Sequence, residues 1–296
     1  MIFERRDCVM ENTGLVLEGG GMRGLYTAGV LEYLLEKELF FPYVIGVSAG
    51  ACMAASYLSR QKGRNKKVNI EFAAHKEYIS FRNFIKKREI FGMDYLFDEI
   101  PNKHVPYDYE TFYKNTEQFI IGTTDCETGK PVYFGKEEYG ENILPVLRAS
   151  SSLPIIAPIV HFKGRKLLDG GIGNPIPLDK SESDGNQRNV VILTRNRDYQ
   201  KKKSKFTWYL KKSYPDYPQL IQTISERDKV YNQTLNYISK QEEEGKVFVI
   251  SPSSQLNVGR IERNPTKLLE LYNQGYKDAE NQFKDLENWI QTPKNS

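Results

Sequence analysis

The chain has 296 residues, 39% of them hydrophobic, and a formal net charge of +4. That length suits one α/β domain with insertions, and the apolar content can build a sizeable core, which excludes global disorder. So modest a charge gives no reason to expect a nucleic-acid partner, which calls for a strongly basic face.

Three cysteines, Cys8, Cys52 and Cys126, are scattered, odd in number and without a CxxC pair. They fit a reducing compartment and predict neither a disulfide framework nor a zinc site. The opening "MIFERRDCVMENTG" is charged and lacks an apolar h-region, so no secretory leader is expected. No apolar run approaches the ~18 residues of a membrane span. A cytoplasmic protein follows as the expectation, with peripheral membrane contact left open.

In chain order, "GLVLE" from Gly14 reads as a short buried strand ending in three glycines, and Leu25 to Glu38 repeats apolar residues at helical spacing. "YVIGV" is a second strand, followed by the small-residue helix "AGACMAASYL". Later strands are predicted at "QFIIGTT", "PVYF", "PIIAPIVHF", "RKLLD", "NVVILT" and "KVFVI", and a long amphipathic helix near Thr266 to Ile290. Strands alternating with helices predict an α/β fold, a three-layer sandwich around a central, largely parallel sheet. No repeat or low-complexity linker divides the chain, so a single domain over 1–296 is expected. Its core motifs fall in 14–179, and 180–296 completes the sheet and supplies lid or membrane-contact elements.

Two stretches are strongly basic. "RQKGRNKK", Arg60 to Lys67, carries five positive charges and no acid. Asn196 to Tyr217 sets seven basic residues against two acids and interleaves six aromatic ones. Charge runs are usually solvated loops. The alternative is a lipid-facing patch, with lysines on anionic head groups and Phe206, Trp208 and Tyr209 at the boundary.

Gly19, Gly21 and Gly24 match G-x-G-x-x-G between a strand and a helix, the setting of a dinucleotide site. That fingerprint also needs an acid at the end of the next strand, for the ribose. Here the strand ends in Val47–Ser48. The same exposed N–H groups serve equally to hold the oxyanion of an acyl transfer.

Gly46-Val47-Ser48-Ala49-Gly50 is G-x-S-x-G in the strand-to-helix context of a nucleophile elbow, whose tight turn exposes the serine hydroxyl. The bland alternative is a helix N-cap serine. A nucleophile needs a base, and the chain order Ser, acid, His has no good final member. His75 and His104 lie in charged surroundings, and His161 sits in a strand before a Lys-Gly turn. "RKLLDGGIGNPIP" offers Asp169 instead, a strand-end carboxylate beside Gly170 and Gly171. It is either an ordinary Asp-Gly turn or a general base whose basicity rises on desolvation.

GGGMRG, then GVSAG, then DGG, in this order, resemble the patatin-like phospholipase family over Gly14 to about Pro177. The resemblance implies a Ser–Asp dyad with no histidine: Ser48 as nucleophile, Asp169 as base, and Gly20 and Gly21 as oxyanion amides with Arg23 beside them. "RASSSLPIIAP", Arg148 to Pro158, resembles the family's segment lining the acyl site. Glu18 precedes the triple glycine where many members have Asp or Ser, which implies a structural rather than catalytic effect.

The expected function is therefore a serine acyl hydrolase that cleaves carboxylic esters of lipids, a phospholipase A-type esterase needing no metal or cofactor. Its partner is a lipid or small ester, with contact to an anionic membrane and no nucleic acid. Two other readings stay open: a non-catalytic lipid or acyl binder on the same scaffold, and a nucleotide-binding oxidoreductase.

Overall fold

The computed structural model describes residues 10–203 and 207–292, with only the backbone described at 81, 86, 87 and 207. The run of elements is β1 (Thr13–Leu17), α1 (Gly24–Glu36), β2 (Tyr43–Val47), α2 (Ala49–Leu58), β3 (Gln118–Asp125) and β4 (Pro131–Phe134). After these come α3 (Leu144–Ser150), β5 (Val160–Phe162), β6 (Arg165–Asp169), α4 (Leu178–Ser183) and β7 (Arg188–Ile192). The chain ends with α5 (Thr207–Ser213), α6 (Pro218–Glu243), β8 (Val247–Ile250) and α7 (Pro265–Gln291). Shorter helical turns fill the stretch between α2 and β3.

Among the described residues, eight strands join one sheet in the order β5-β6-β3-β2-β1-β7-β8, with β4 on β3 off this path. The five strands from β3 to β8 run parallel, and β4, β5 and β6 add antiparallel pairings at one end. The sheet is mixed but mostly parallel, as expected from the alternation of strands and helices.

Side-chain alternation along the strands builds two cores. Leu15, Leu17 and Val44 face a layer containing Leu31, Leu34 and Leu58 of α1 and α2 and Leu268 and Leu271 of α7. Val16, Tyr43, Ile45, Val191 and Val249 face the opposite layer, with Ile176, Leu178, Tyr231 and Ile238. Each fully buried aliphatic side chain contributes about 1.5–3 kcal/mol, so a period of two in β1 and β2 ties both helical layers to the sheet. The three-layer architecture follows.

Helices α1 and α7 cross almost backbone to backbone. A Cβ at Gly29 would stand 2.0 Å from the Tyr272 carbonyl oxygen, and one at Gly275 2.0 Å from that of Tyr26. The buried Tyr26 hydroxyl donates to Asp278 at 3.0 Å beside this crossing.

One strand expectation needs correction. Of "PIIAPIVHF", only Val160–Phe162 forms a strand. Pro154 and Pro158 lack the N–H that a ladder needs, and Ile155 turns to φ 73°. The segment is instead pinned by side contacts: the Tyr214 hydroxyl accepts the Ile155 N–H at 2.8 Å, and Ile156 O accepts from Ile90 N at 2.9 Å.

Candidate active site

Ser48 stands between β2 and α2 with φ 52° and ψ −127°, a left-handed turn. Such a conformation costs a β-carbon-bearing residue about 1–3 kcal/mol and persists only where surrounding structure imposes it. Gly50 permits the turn, since a Cβ there would lie 2.7 Å from the Leu17 carbonyl oxygen. Gly46 packs under the start of α2 in the same way, against Ala51. Ser48 is 6% exposed. The N-cap alternative fails, because its side chain makes no capping hydrogen bond.

Strand β3 brings Ser48 and Asp169 together. Val47 pairs with Gly122 on one edge of β3, and Asp169 pairs with Thr123 on the other. The segment after α3 then clamps both ends. The Ser48 N–H donates to Ser150 Oγ at 2.7 Å, and that hydroxyl donates to the Gly122 carbonyl at 2.6 Å. The Asp169 N–H donates to Ser152 O at 2.8 Å, and the Gly170 N–H to Ser150 O at 3.2 Å.

Asp169 is 2% exposed. Its Oδ1 accepts the Gly171 N–H at 2.8 Å, whereas Oδ2 is buried and, among the described residues, has no hydrogen-bond partner of normal geometry. Burial holds the carboxyl above its usual range. The Ser48 hydroxyl, the Arg227 guanidinium, the Gly171 amide and Arg260 pull the other way, towards the charged form. The Ser48 hydroxyl is thus close enough to act on the carboxylate without forming a settled hydrogen bond. Hydrogen bonds between catalytic partners are often poorly aligned before substrate arrives.

The glycine loop lies against the serine: a Cβ at Gly19 would meet Ser48 Cβ at 3.2 Å. Gly21 has φ 58°, and its missing side chain leaves room for the Arg260 carbonyl, 2.7 Å from where a Cβ would stand. Several amides of the loop are spoken for. Gly19 N–H donates to Pro175 O, Met22 N–H to Arg260 O, and Gly24 N–H to the carbonyls of Gly21 and Met22. Among the described residues, the amides of Gly20 and Gly21 donate to no protein acceptor.

Gly21, Met22, Ser48 and Ala49 line part of a cavity of about 120 Å³. Its walls are chiefly apolar, from Met53, Val68, Phe91, Leu96, Phe97 and Leu147 among others. Ser151 and Leu153, from the stretch expected to line such a site, are part of the wall. Cys52 also faces it, its thiol pushed up to about 11 by burial.

Arg23 goes elsewhere. It is buried and lines a separate small polar pocket with Glu18 and Gly19. Glu18 accepts the Thr194 N–H at 2.5 Å and the Tyr231 hydroxyl at 2.8 Å, which ties the loop to the segment after β7 and to α6.

The histidines are all exposed. His161 lies on the outer strand β5, and His75 and His104 pack against Tyr95. None lines the cavity at Ser48. Two parts of the arrangement escaped the sequence reading: the role of Ser150, which lies in the stretch expected to line the acyl site but was not singled out from its serine neighbours, and the basic cluster around Arg23, whose members are far apart in the chain.

Of the basic run from Arg60 to Lys67, Lys62, Lys66 and Lys67 are exposed, whereas the two arginines fold inward. Arg60 pairs with Glu117 and stacks on Phe40 at 3.4 Å, and Arg64 turns inward to Ser56 and the Val105 carbonyl. In the second run Arg197 pairs with Glu242, and Tyr214 is buried. Trp208, 68% exposed, and Tyr209 remain on the surface, whereas Phe206 lies outside the described residues, as does Cys8. Among the described residues no helix is long and apolar enough to cross a membrane.

A serine held at a strained strand-to-helix turn, on a mostly parallel sheet with helices on both faces, places the chain among α/β proteins with a nucleophile-elbow turn. A family model for patatin-like phospholipase matches residues 15–180, and the chain belongs to that family. A second model, for a domain of unknown function, DUF6363, matches residues 217–291. The chain is 30% identical to the uncharacterized protein YjjU of Escherichia coli over 185 residues, 61% of this chain and 51% of YjjU. It is 26% identical to lysophospholipase NTE1 of Coccidioides immitis over 183 residues, 59% of this chain and 11% of that protein. The chain therefore spans about half of YjjU and a much smaller part of NTE1. Among solved structures, VipD from Legionella pneumophila matches 92% of this chain and 67% of its own, at 13% identity and a TM-score of 0.45.

Proposed function

We propose that the chain is a serine acyl hydrolase that cleaves carboxylic ester bonds of lipids through a Ser48–Asp169 dyad. The observation that carries this is the pairing of a strained serine in the wall of an apolar cavity with a buried carboxylate whose Oδ2, among the described residues, has no hydrogen-bond partner of normal geometry. Family membership supports the same chemistry, and relatives named lysophospholipase support a lipid ester as substrate.

In this reading the acyl chain occupies the cavity and presents its ester carbonyl to Ser48. The Ser48 oxygen attacks the carbonyl carbon while its proton passes to Asp169 Oδ2. The N–H groups of Gly20 and Gly21 hold the resulting oxyanion; one such donor contributes about 3–4 kcal/mol to the transition state. Asp169 returns the proton to the departing alcohol or lysolipid, and water then hydrolyses the acyl-enzyme by the reverse sequence. Desolvation supports Asp169 in this role, because a carboxylate in water is too weak a base for a hydroxyl.

The proposal extends to organisation and place. Residues 1–296 act as one domain, a reading supported by β8 pairing with β7 and α7 packing on α1. The protein works in the cytoplasm and meets anionic membranes at the periphery, with Trp208 and Tyr209 as the exposed aromatic contact. Its partners are lipids or small esters rather than nucleic acid.

The test is fluorophosphonate labelling with peptide mapping of wild type, Ser48→Ala and Asp169→Asn, beside hydrolysis of p-nitrophenyl esters of increasing chain length. Labelling confined to Ser48, with turnover lost in both variants, is expected. Near-full turnover in Asp169→Asn would refute the dyad, and a folded protein that resists labelling would point to a lipid binder instead.

A further inference from the structure

Five cations converge on the polar pocket that Gly19 and Arg23 share. Arg23 comes from the glycine loop, Arg195 and Lys201 from the segment after β7, Arg227 from α6, and Arg260 from the segment before α7. One carboxylate, Glu18, stands among them, and its two oxygens already accept from Thr194 N and the Tyr231 hydroxyl. Among the described residues none of the five cations forms an ion pair. The Nε atoms of Arg23, Arg195 and Arg227 are buried without a hydrogen-bond partner among the described residues, and Arg23 is 4% exposed.

So much like charge in one place is costly. Burial and the neighbouring guanidinium groups push Arg23 down to about 10 and Lys201 down to about 7, with Glu18 opposing only in part. Arg227 is likewise held down to about 10, by burial first and Arg260 next. Buried charges are kept where a partner compensates them; among the described residues Glu18 and the more distant Asp169 are the carboxylates that offer this, and Arg195 and Lys201 lie over the rings of Tyr199 and Tyr231. Several guanidinium forks around one ammonium match the oxygens of a phosphate group better than those of any single carboxylate.

We propose that this cluster is a phosphate-binding subsite beside the reacting serine, and that it takes the terminal phosphate of a phosphate-bearing lysolipid or phospholipid. The headgroup assignment rests on the hydrolase reading above; the phosphate site itself does not. Two observations favour the headgroup. Gly19 lines this pocket and also stands against Ser48, its ideal Cβ 3.2 Å from the serine Cβ. Arg227 lines the pocket and also stands near Asp169, since its guanidinium and Asp169 Oδ1 lie 3.1 and 3.0 Å from the same point, an ideal Cβ on Gly171. Gly19 is thus shared between the polar pocket and the turn that carries Ser48. The pocket, about 10 Å³, admits a group the size of one oxygen. The phosphate enters oxygen-first, with half-buried Arg195 and Lys201 at the rim. A monoester, with three terminal oxygens and no bulky substituent, fits this best.

Calorimetric titration of inorganic phosphate and of glycerol 3-phosphate into the full chain carrying Ser48→Ala, at constant ionic strength, tests the site. One saturable site is expected, weakened about tenfold or more by Arg195→Gln or Lys201→Met, the loss of one charge-assisted contact. No saturable binding by the folded protein, or binding that both substitutions leave unchanged, overturns the proposal. In the active protein, a lysophosphatidate should exceed the monoacylglycerol of the same chain in kcat/KM by at least about tenfold, and inorganic phosphate should compete with the former alone. Phosphate that binds but affects both substrates alike would keep the site and overturn its assignment to a headgroup. Esters cleaved without phosphate binding would sink this inference alone. Phosphate binding with no ester cleaved and no labelling at Ser48 would sink the hydrolase reading and the headgroup assignment, leaving the anion site.

Discussion

Ser150 Oγ accepts the backbone N–H of Ser48 at 2.7 Å and donates its own proton to the Gly122 carbonyl at 2.6 Å. This relay joins the turn at Ser48 to β3, the strand that also carries the pairing to Asp169. One buried hydroxyl therefore fixes the serine relative to the carboxylate.

Ser150→Ala removes both bonds and leaves the Ser48 N–H buried and unpaired, at a cost of about 1–3 kcal/mol. Chemical denaturation should show that loss. Because the turn is then free to shift, turnover of a p-nitrophenyl ester should fall by about tenfold or more, chiefly in kcat. A variant with unchanged kcat would show that the turn holds its geometry without the relay.

The strain at Ser48 has its own signature. At φ 52° and ψ −127° an alanine keeps the steric penalty that a glycine escapes. Both Ser48→Ala and Ser48→Gly should lose labelling. Ser48→Gly should nonetheless be the more stable of the two by about 1 kcal/mol, after the extra entropy of glycine in the unfolded chain is set against the relieved strain. Equal melting temperatures, or a less stable glycine variant, would mean the turn is not strained.

Much of the fold was legible in the sequence, for a physical reason. "GLVLE" is an unbroken apolar run closed by glycines, and that marks β1 without any tertiary information, whereas its period of two, Leu15 and Leu17 on one core and Val16 on the other, shows only in the structure. The same holds for β2 and the small-residue helix after it. The sequence misled where tertiary contacts override local pattern. Ile155 to Pro158 look like strand but are held by Tyr214 and Ile90, and Arg60 and Arg64 look like a solvated run but fold against Phe40 and Ser56. The turn at Ser48 and the strand end at Asp169 could be read because each motif is contiguous. The five-cation cluster could not, since residues 23, 195, 201, 227 and 260 meet only once β1, β7, α6 and the start of α7 are assembled.

The crossing of α1 and α7 predicts a sharp size limit. Gly29→Ala or Gly275→Ala would drive a methyl group to 2.0 Å from a backbone carbonyl of the facing helix, a contact that no side-chain rotation relieves. The helices must separate, and overpacking of this kind costs about 1–3 kcal/mol or more. Thermal or denaturant unfolding should register the loss for either substitution. A neutral result would show that the crossing can widen freely.

The acid limb of the pH profile follows from the environment of Asp169. Burial holds its folded pKa above the ordinary 3.8, against the pull of Ser48, Arg227, Gly171 and Arg260. Because the folded value is raised, the group's stabilising contribution is fully present below the unfolded pKa. It is lost as pH rises through the folded one, so the ionised carboxylate destabilises the fold at neutral pH. Asp169→Asn should therefore abolish turnover without lowering the melting temperature at pH 7. Arg227→Gln removes a charge that favours the carboxylate, so the folded pKa should rise further. As only ionised Asp169 can accept the serine proton, the acid limb of kcat/KM should move to higher pH in that variant. A limb that stays in place or moves down would mean that another group controls it, and that Arg227 serves the polar pocket alone.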